Sequence, residues 1–178
     1  MIARALWRRL DHRIPVPAYV LVLLILAAPV AVHVVASYRI GIDPQLTPSL
    51  PWRVALVDLR DQAVARGDLV AFRAIGIAVE VEGTTLHTDG TWLLKRVVGV
   101  PGDRVRVDGE GLHVNDLRVA DDLVLAGTLG QPPAHWFREE VIAPGRLYVA
   151  GLHPASYDSR YFGPIASHQI IGRAWGIW

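Results

Sequence analysis

The most constraining feature of this chain is an uncharged, apolar stretch near its N-terminus. No Asp, Glu, Lys or Arg occurs in the 25 residues between Arg13 and Arg39, and Ala18–Ala36 reads AYVLVLLILAAPVAVHVVA. About 20 apolar residues are enough to cross the hydrocarbon core of a bilayer, with some tilt. Proline is tolerated inside such helices, so Pro29 does not argue against one. The sequence therefore predicts a transmembrane anchor over residues 14–38.

A cleaved signal peptide is the competing interpretation of the same stretch. Val34-Val35-Ala36 before Ser37 has the small-residue character of a cleavage site. However, the apolar run exceeds the roughly 7–15 residues of a signal h-region, which favours an uncleaved anchor. Residues 1–38 carry a net charge of +3 and residues 39–178 a net charge of −2. The positive-inside rule then predicts a cytoplasmic tail over 1–13 and an extracytoplasmic domain over 39–178.

Composition excludes several classes of protein. A chain of 178 residues accommodates one domain plus an anchor. The absence of cysteine rules out a disulfide scaffold, a cysteine-based metal site and a thiol nucleophile. A net charge of +1 argues against a nucleic-acid partner. The seven histidines show no metal-binding spacing, so the sequence predicts no metal and no other cofactor.

The remainder of the chain has the pattern of a mainly β domain, and no long helical period occurs after residue 40. We expect a compact β-sheet or barrel domain over 39–178, with an irregular insertion at about 115–143. Gly, Pro and Asp clusters such as Arg66-Gly67-Asp68 and Pro101-Gly102-Asp103 separate the strand candidates and are interpreted as turns. The predicted strands are short runs rich in Val, Ile, Leu and aromatic residues: Val54–Val57, Leu69–Phe72, Ala78–Val81, Leu93–Val98, Arg104–Val107, Leu112–Val114, Leu147–Ala150 and Ile170–Trp175.

One lysine stands out against the arginine usage of this chain. Arginine supplies 17 of the 18 basic residues, and the exception is Lys95. In a strand, Lys95 shares a face with Leu93 and Val97, because side chains alternate. Desolvation on such a face lowers the pKa of an amine, and lysine can lose its proton where arginine cannot. Lys95 is therefore a candidate general base; the alternative is a surface lysine whose stem covers apolar area.

A general base needs a nucleophile, and Ser49 is the candidate. It is one of five serines and lies between Pro48 and Pro51, which restrict the backbone and hold the segment non-helical. The alternative is an ordinary proline-rich loop. No Gly-x-Ser-x-Gly elbow occurs in the chain. A Ser–His–Asp triad is still open, since its members need not be neighbours in sequence.

Taken together, these segments resemble the type I signal peptidase family of Ser–Lys peptidases. The specific motifs are Lys95-Arg96-Val97-Val98-Gly99-Val100-Pro101-Gly102-Asp103 and Asp158-Ser159-Arg160-Tyr161-Phe162-Gly163. Thr47-Pro48-Ser49-Leu50-Pro51 resembles the conjugative-transfer (TraF-type) branch. Two departures stand out. Gly151-Leu152-His153 replaces the Gly-Asp-Asn of housekeeping members, and Trp52-Arg53 stands where TraF-type sequences often have Gly and Tyr.

The resemblance implies a role for each matching residue. Ser49 would be the nucleophile, and Lys95 the general base and later the general acid. The Thr47 hydroxyl and the Ser49 amide would bind the oxyanion. Ser156 would hydrogen-bond and orient the lysine amine, and an ion pair between Asp158 and Arg160 would brace the site.

The implied function is that of a membrane-anchored serine endopeptidase that removes signal or leader peptides from exported precursors. The TraF-type likeness implies a conjugative pilin as substrate, with or without joining of its new ends into a ring. The implied location is the bacterial inner membrane, with the catalytic domain on the periplasmic side. The alternatives are a general signal peptidase for secreted proteins and a non-catalytic anchored domain that binds exported peptides. A self-cleaving Ser–Lys regulator is less consistent, because the N-terminal region resembles a membrane span and not a DNA-binding part.

Overall fold

A computed structural model describes residues 16–42, 49–81, 84–85 and 87–177 of the chain. The chain divides into two compact units, one ending at Ser37 and the other running from Tyr38 to Trp178. The first unit contains helix α1, Val16–Ser37, which includes Pro29. In the described part of the chain, α1 alone is long and apolar enough to cross a membrane, a test that a signal sequence also passes. Helix α1 agrees with the apolar stretch predicted over 14–38.

The second unit is built almost entirely of short strands. Among its described residues, the helical elements are α2, Ser159–Phe162, and two 3-10 turns at Pro133–Trp136 and Ser167–Gln169. The strands are β1 Tyr38–Ile42, β2 Val54–Asp58, β3 Leu69–Arg73, β4 Glu80–Val81, β5 Thr84–Thr85, β6 Trp92–Gly99, β7 Arg104–Asp108, β8 Gly111–Val114, β9 Leu117–Asp121, β10 Arg138–Val141, β11 Arg146–Ala150, β12 Ile165–Ala166 and β13 Ile170–Gly176.

These strands form three antiparallel sheets. The largest has the order β1-β2-β13-β3-β6-β11-β12, the second has the order β10-β7-β8-β9, and β4 pairs with β5. The mainly β fold class predicted from the sequence is confirmed. The predicted insertion over 115–143 was drawn too wide, because β9 and β10 lie inside it and pair with β8 and β7. Strand β10 is polar and half-exposed, and the apolar residues of β9 are interrupted by Arg118, so neither strand has the continuous apolar run on which the strand predictions were based.

Strand β6 lies inside the large sheet, between β3 and β11, and both of its faces are covered. Leu93 and Val97 pack into one core cluster, together with Phe72. Leu94 packs into a second cluster, together with Ala71. Leu93, Leu94, Lys95 and Val97 are therefore buried, whereas Arg96 is partly exposed.

The two Gly-Asp motifs are turns, as the sequence predicts, and they contact each other. Gly67 and Gly102 have positive φ angles of 95° and 92°, which glycine adopts without strain. A guanidinium nitrogen of Arg66 lies 2.5 Å from the Asp103 carboxylate. Burial alone would raise the pKa of Asp103, but hydrogen bonds from Val100, Asn115 and Arg66 outweigh it and hold the pKa below its usual value. The ion pair between Arg66 and Asp103 therefore links the turn before β3 to the turn before β7.

The close packing of β13 against β2 in the large sheet can be tested at Gly172. A Cβ atom at this position would lie 2.0 Å from the carbonyl oxygen of Asp58 on β2, which is backbone and cannot rotate away. We expect Gly172→Ala to destabilise the domain by about 1–3 kcal/mol, the usual cost of overpacking. Thermal unfolding of the full chain in mild detergent measures it. Gly127→Ala is the control, because nothing lies within 4 Å of the added methyl. Equal melting temperatures for the two variants would contradict this packing.

Candidate active site

The structure brings Ser49 and Lys95 into direct contact. Lys95 Nζ lies 2.5 Å from Ser49 Oγ, although the two residues are 46 positions apart in sequence. Ser49 lies in the segment that leads into β2, and Lys95 lies at the centre of β6. Their side chains are buried, with Ser49 1% and Lys95 2% exposed. The surface-lysine alternative is therefore wrong for Lys95.

The environment of this contact is suited to proton transfer. Burial removes water from the amine and disfavours its charged form. A neutral amine within hydrogen-bond distance of a hydroxyl can accept the proton of that hydroxyl. Serine is a weak nucleophile until a neighbouring base activates it, and Lys95 lies where such a base is needed.

Ser156 contacts this pair at the hydroxyl oxygen of Ser49. Its Oγ lies 3.1 Å from Ser49 Oγ, and the residue is fully buried. The resemblance implied a hydrogen bond from Ser156 to the lysine amine, and that contact stays a prediction. The observed hydrogen bond gives Ser49 Oγ a second polar neighbour, so the hydroxyl is held between Lys95 and Ser156.

A close backbone approach at Gly151 supports this arrangement, and the sequence did not single it out. The amides of Leu152 and His153 donate to the carbonyl oxygen of Ser49, at 2.6 and 3.2 Å. A Cβ atom on Gly151 would lie 2.2 Å from Ser156 Oγ and 2.9 Å from the Ser49 carbonyl oxygen. Only glycine allows the end of β11 to pass so close to both serines. Its signal in the sequence was a glycine directly after a strand and five residues before Ser156.

Asp158 and Arg160 form a fully buried ion pair beside the serines. Both side chains are completely buried, and Arg160 Nε and Nη2 each lie 2.9 Å from a different carboxylate oxygen of Asp158. Asp158 also accepts a hydrogen bond from the Gly151 amide at 3.0 Å, and Arg160 donates to the carbonyl oxygen of Ser156 at 3.0 Å. The pair therefore connects the glycine to the loop that carries Ser156.

The guanidinium of Arg160 is held in its charged form despite this burial. Desolvation by burial lowers the pKa of Arg160, but the charge of Asp158 and its hydrogen bonds outweigh that effect and raise the pKa above its usual value. Arg160 also donates to the carbonyl oxygen of Asp122, at 2.9 Å. The irregular chain after β9 is thereby attached to the same pair.

One predicted site residue lies outside the described residues. Thr47 belongs to the range 43–48, so the oxyanion role of its hydroxyl stays a prediction. The amide of Ser49, the other predicted oxyanion donor, belongs to the described part of the chain.

The fold also assembles a group of potential metal ligands that the sequence did not indicate. One ligand atom from each of Asp108, Glu110 and His113 lies within 4.8 Å of the others, around the turn between β7 and β8. Asp108 is at the same time paired with Arg106, whose positive charge opposes a bound cation. The prediction that the protein uses no metal stays a prediction.

Comparison with known proteins identifies the family. Residues 14–178 match the family model described as "Signal peptidase, peptidase S26". The match extends over almost the whole chain, including Ser49, Lys95, Ser156, Asp158 and Arg160. The chain therefore belongs to the signal peptidase family, peptidase S26.

The individual relatives include both branches that the sequence resembles. Conjugal transfer protein TraF of Agrobacterium fabrum (strain C58) is 27% identical over 165 residues, covering 85% of this chain and 88% of that protein. A probable conjugal transfer protein TraF of Sinorhizobium fredii is 34% identical over 151 residues, covering 78% of this chain and 75% of that protein. Signal peptidase I of Leptolyngbya laminosa is 29% identical over 109 residues, covering 61% of this chain but only half of that protein.

A solved structure is also similar to part of this chain. The crystal structure of a signal peptidase I from Enterococcus faecalis V583 matches 64% of this chain and 97% of that chain. The sequence identity is 21% and the TM-score is 0.39.

The buried ion pair yields a stability prediction. Asp158→Asn removes the negative charge and leaves the buried Arg160 guanidinium without its paired carboxylate. We expect a loss of about 3–5 kcal/mol in the free energy of unfolding, as is usual when one partner of a buried pair is removed. Denaturant unfolding of the full chain in mild detergent measures it.

The matched control for this change is Asp61→Asn. Asp61 pairs with Arg173 at 3.0 Å, with both side chains about one third exposed. Pairs near the surface contribute about 0–1 kcal/mol, so the control should change little. If the two variants lose the same stability, the buried pair does not brace the site.

Proposed function

We propose that this protein is a membrane-anchored serine endopeptidase that removes signal or leader peptides through a Ser49–Lys95 dyad. The observation that carries the proposal is the 2.5 Å contact between Lys95 Nζ and Ser49 Oγ in a buried setting. Lys95 takes the hydroxyl proton as Ser49 Oγ bonds to the scissile carbonyl carbon. The Lys95 ammonium then protonates the leaving amine as the peptide bond breaks. Water, or an amine, resolves the acyl-enzyme, and Ser49 regains its proton.

The neighbouring groups have positioning roles in this proposal. Ser156 fixes the hydroxyl of Ser49 and orients the amine of Lys95. Asp158 and Arg160 hold the loop of Ser156 and do not contact the reacting atoms. The Ser49 amide and the Thr47 hydroxyl bind the oxyanion, which is stabilised most by fixed donors in a site without water.

The membrane location follows from the chain near α1. Strand β1 begins at Tyr38, directly after the last residue of α1. Ile40 is exposed on β1, and Leu56 of β2 lies between it and the exposed Trp175 of β13 in the cross-strand register. An exposed apolar row so close in sequence to a membrane helix favours contact with the lipid surface. The net charge of +3 over residues 1–38 and −2 over residues 39–178 orients such an anchor by the positive-inside rule, so we propose a cytoplasmic N-terminus and a periplasmic location for residues 39–178 at the bacterial inner membrane.

The proposed substrate is an exported precursor, and a conjugative pilin precursor in particular. The TraF relatives support this choice, because this chain covers 75–88% of their length. It covers only half of the Leptolyngbya signal peptidase I. Trp52 and Arg53, directly after the Ser49 motif, depart from the TraF-type pattern and bear on which precursor is cut. Where the cut bond lies towards the pilin's C-terminus, the pilin itself is the acyl group on Ser49, and attack on that ester by the pilin's own amino group would release Ser49 and give a ring instead of a linear product.

The dyad is tested with three forms of the purified full chain in nonionic detergent: wild type, Ser49→Ala and Lys95→Arg. Ser49→Ala has no nucleophile and is expected to be inactive. Lys95→Arg keeps a positive charge but cannot deprotonate, so cleavage of a pilin precursor should fall by at least about 10²–10⁴-fold. Mass spectrometry of the products measures cleavage and separates linear from cyclic peptides. Arg146→Gln, an exposed change on β11, is the control and should cleave like wild type.

Three outcomes would contradict the proposal or its choice of substrate. An active Lys95→Arg enzyme would overturn the neutral-amine mechanism. Binding of the precursor by wild type without cleavage would favour the alternative of a non-catalytic peptide-binding domain. Equal cleavage of the pilin precursor and of unrelated secreted precursors would favour a general signal peptidase.

A further inference from the structure

We propose that a cavity at one end of the large sheet binds the phosphate group of a membrane phospholipid. The cavity has a volume of about 400 Å³. Its polar lining consists of Arg39, Gln62, Arg73, His168 and Gln169, with the indole of Trp92 beside them. The inference goes beyond peptide cleavage and rests on the proposed membrane anchor alone.

The charge of the cavity indicates an anionic ligand. Two guanidinium groups and an imidazole line it, and none of its described lining residues is acidic. The carboxylates closest in sequence to this lining are engaged elsewhere: Asp58 pairs with Arg60 at 2.8 Å and Asp61 with Arg173 at 3.0 Å. Guanidinium groups bind phosphate oxygens through paired, charge-assisted hydrogen bonds.

The cavity lies at the end of the large sheet where the chain enters β1 after α1. Strands β1, β2, β13, β3 and β6 are neighbours in antiparallel order. The first residues of β1, β13 and β6 therefore lie at the same end of the sheet as the last residues of β2 and β3. Arg39 lies near the start of β1, Arg73 at the end of β3 and Trp92 at the start of β6. Arg39 is two residues beyond Ser37, the last residue of α1, so the chain holds it within about 7 Å of the helix end.

Trp92 indicates why a lipid phosphate fits better than a free anion. Its indole is 41% exposed, and it is the direct cross-strand partner of Arg73. Tryptophan is favoured at the level of lipid headgroups, where one side of the ring is apolar and the other is wet. A phospholipid offers its phosphate to the arginines and its glycerol and acyl region to the indole, whereas inorganic phosphate offers only the first contact.

A lipid bound here would fix the height of the dyad above the membrane. Lys95 lies three residues beyond Trp92 on β6, roughly 10 Å along the strand. A signal peptide emerging from the bilayer presents its cleavage site near the membrane surface. Anchoring this end of the sheet to a lipid would therefore position Ser49 and Lys95 near that cleavage site.

The test measures binding without any need for catalysis. The full chain carrying Ser49→Ala is delipidated in nonionic detergent and titrated with dihexanoylphosphatidylglycerol by isothermal titration calorimetry. The variant Arg39→Gln/Arg73→Gln is expected to weaken binding at least tenfold, and each single change at least threefold. Arg146→Gln is the matched control, because Arg146 is the first residue of β11 and lies at the opposite end of the same sheet. The affinity of this variant for the lipid should remain within twofold of that of the parent.

A second titration, with inorganic phosphate, separates the two sources of the anion. We expect inorganic phosphate to bind at least tenfold more weakly than the lipid. Inorganic phosphate that binds as tightly as the lipid would overturn the lipid assignment. Equal affinities of the parent and of the arginine variants for the lipid would overturn the site itself. If the double variant does not fold, the two single variants provide the same test. Since the parent is already inactive, neither result depends on the peptidase proposal.

Discussion

The structure depends on keeping one amine out of water. Transferring an ammonium group into a protein interior costs several kcal/mol, so a buried lysine is tolerated only where its neutral form or its partners compensate. Lys95 meets this condition on β6, a strand with both faces covered, where its nitrogen contacts Ser49 Oγ. A lysine on an edge strand would keep its hydration and its charge. The position of β6 inside the sheet is therefore the basis of the proposed chemistry.

The surrounding structure holds the nucleophile against this amine. The carbonyl of Ser49 accepts two amides from the chain after β11, and the approach is close enough that Gly151 tolerates no side chain. Asp158 accepts a hydrogen bond from the same glycine and pairs with Arg160. The dyad, the glycine and the ion pair thus form one continuous set of contacts. A site of this kind is pre-organised, because its geometry is fixed before a substrate arrives.

Much of this was predictable from the sequence, and the exceptions have physical reasons. Leu69–Phe72 and Leu93–Val98 are rich in apolar residues and mostly buried, so their composition predicted strands. Strands β9 and β10 were missed, because β10 is polar and Arg118 interrupts the apolar residues of β9. Strand β1 was missed as well, since it follows the helix without a break and Arg39 and Gly41 interrupt its apolar residues.

The site shows the same division between local and non-local signals. Lys95 and Ser49 were each conspicuous locally, one as a lysine in an arginine-rich chain and one between prolines. Their contact depends on the fold, and so does the role of Gly151, whose place after a strand is a weak signal until the fold brings it against Ser49 and Ser156. The link between Arg66 and Asp103 is another example, because two separate turn motifs meet only in the folded domain.

The central claim is that Ser49 forms a covalent acyl-enzyme that Lys95 makes possible. The most direct measurement is to mix the full chain with a precursor, quench in acid within the first turnover and map the adduct by peptide mass spectrometry. We predict that the precursor segment on the N-terminal side of the cut bond is attached through its new C-terminus to Ser49, and that Lys95→Arg forms no such adduct. An adduct on another residue, or product formed at full rate with no adduct on Ser49, would contradict it.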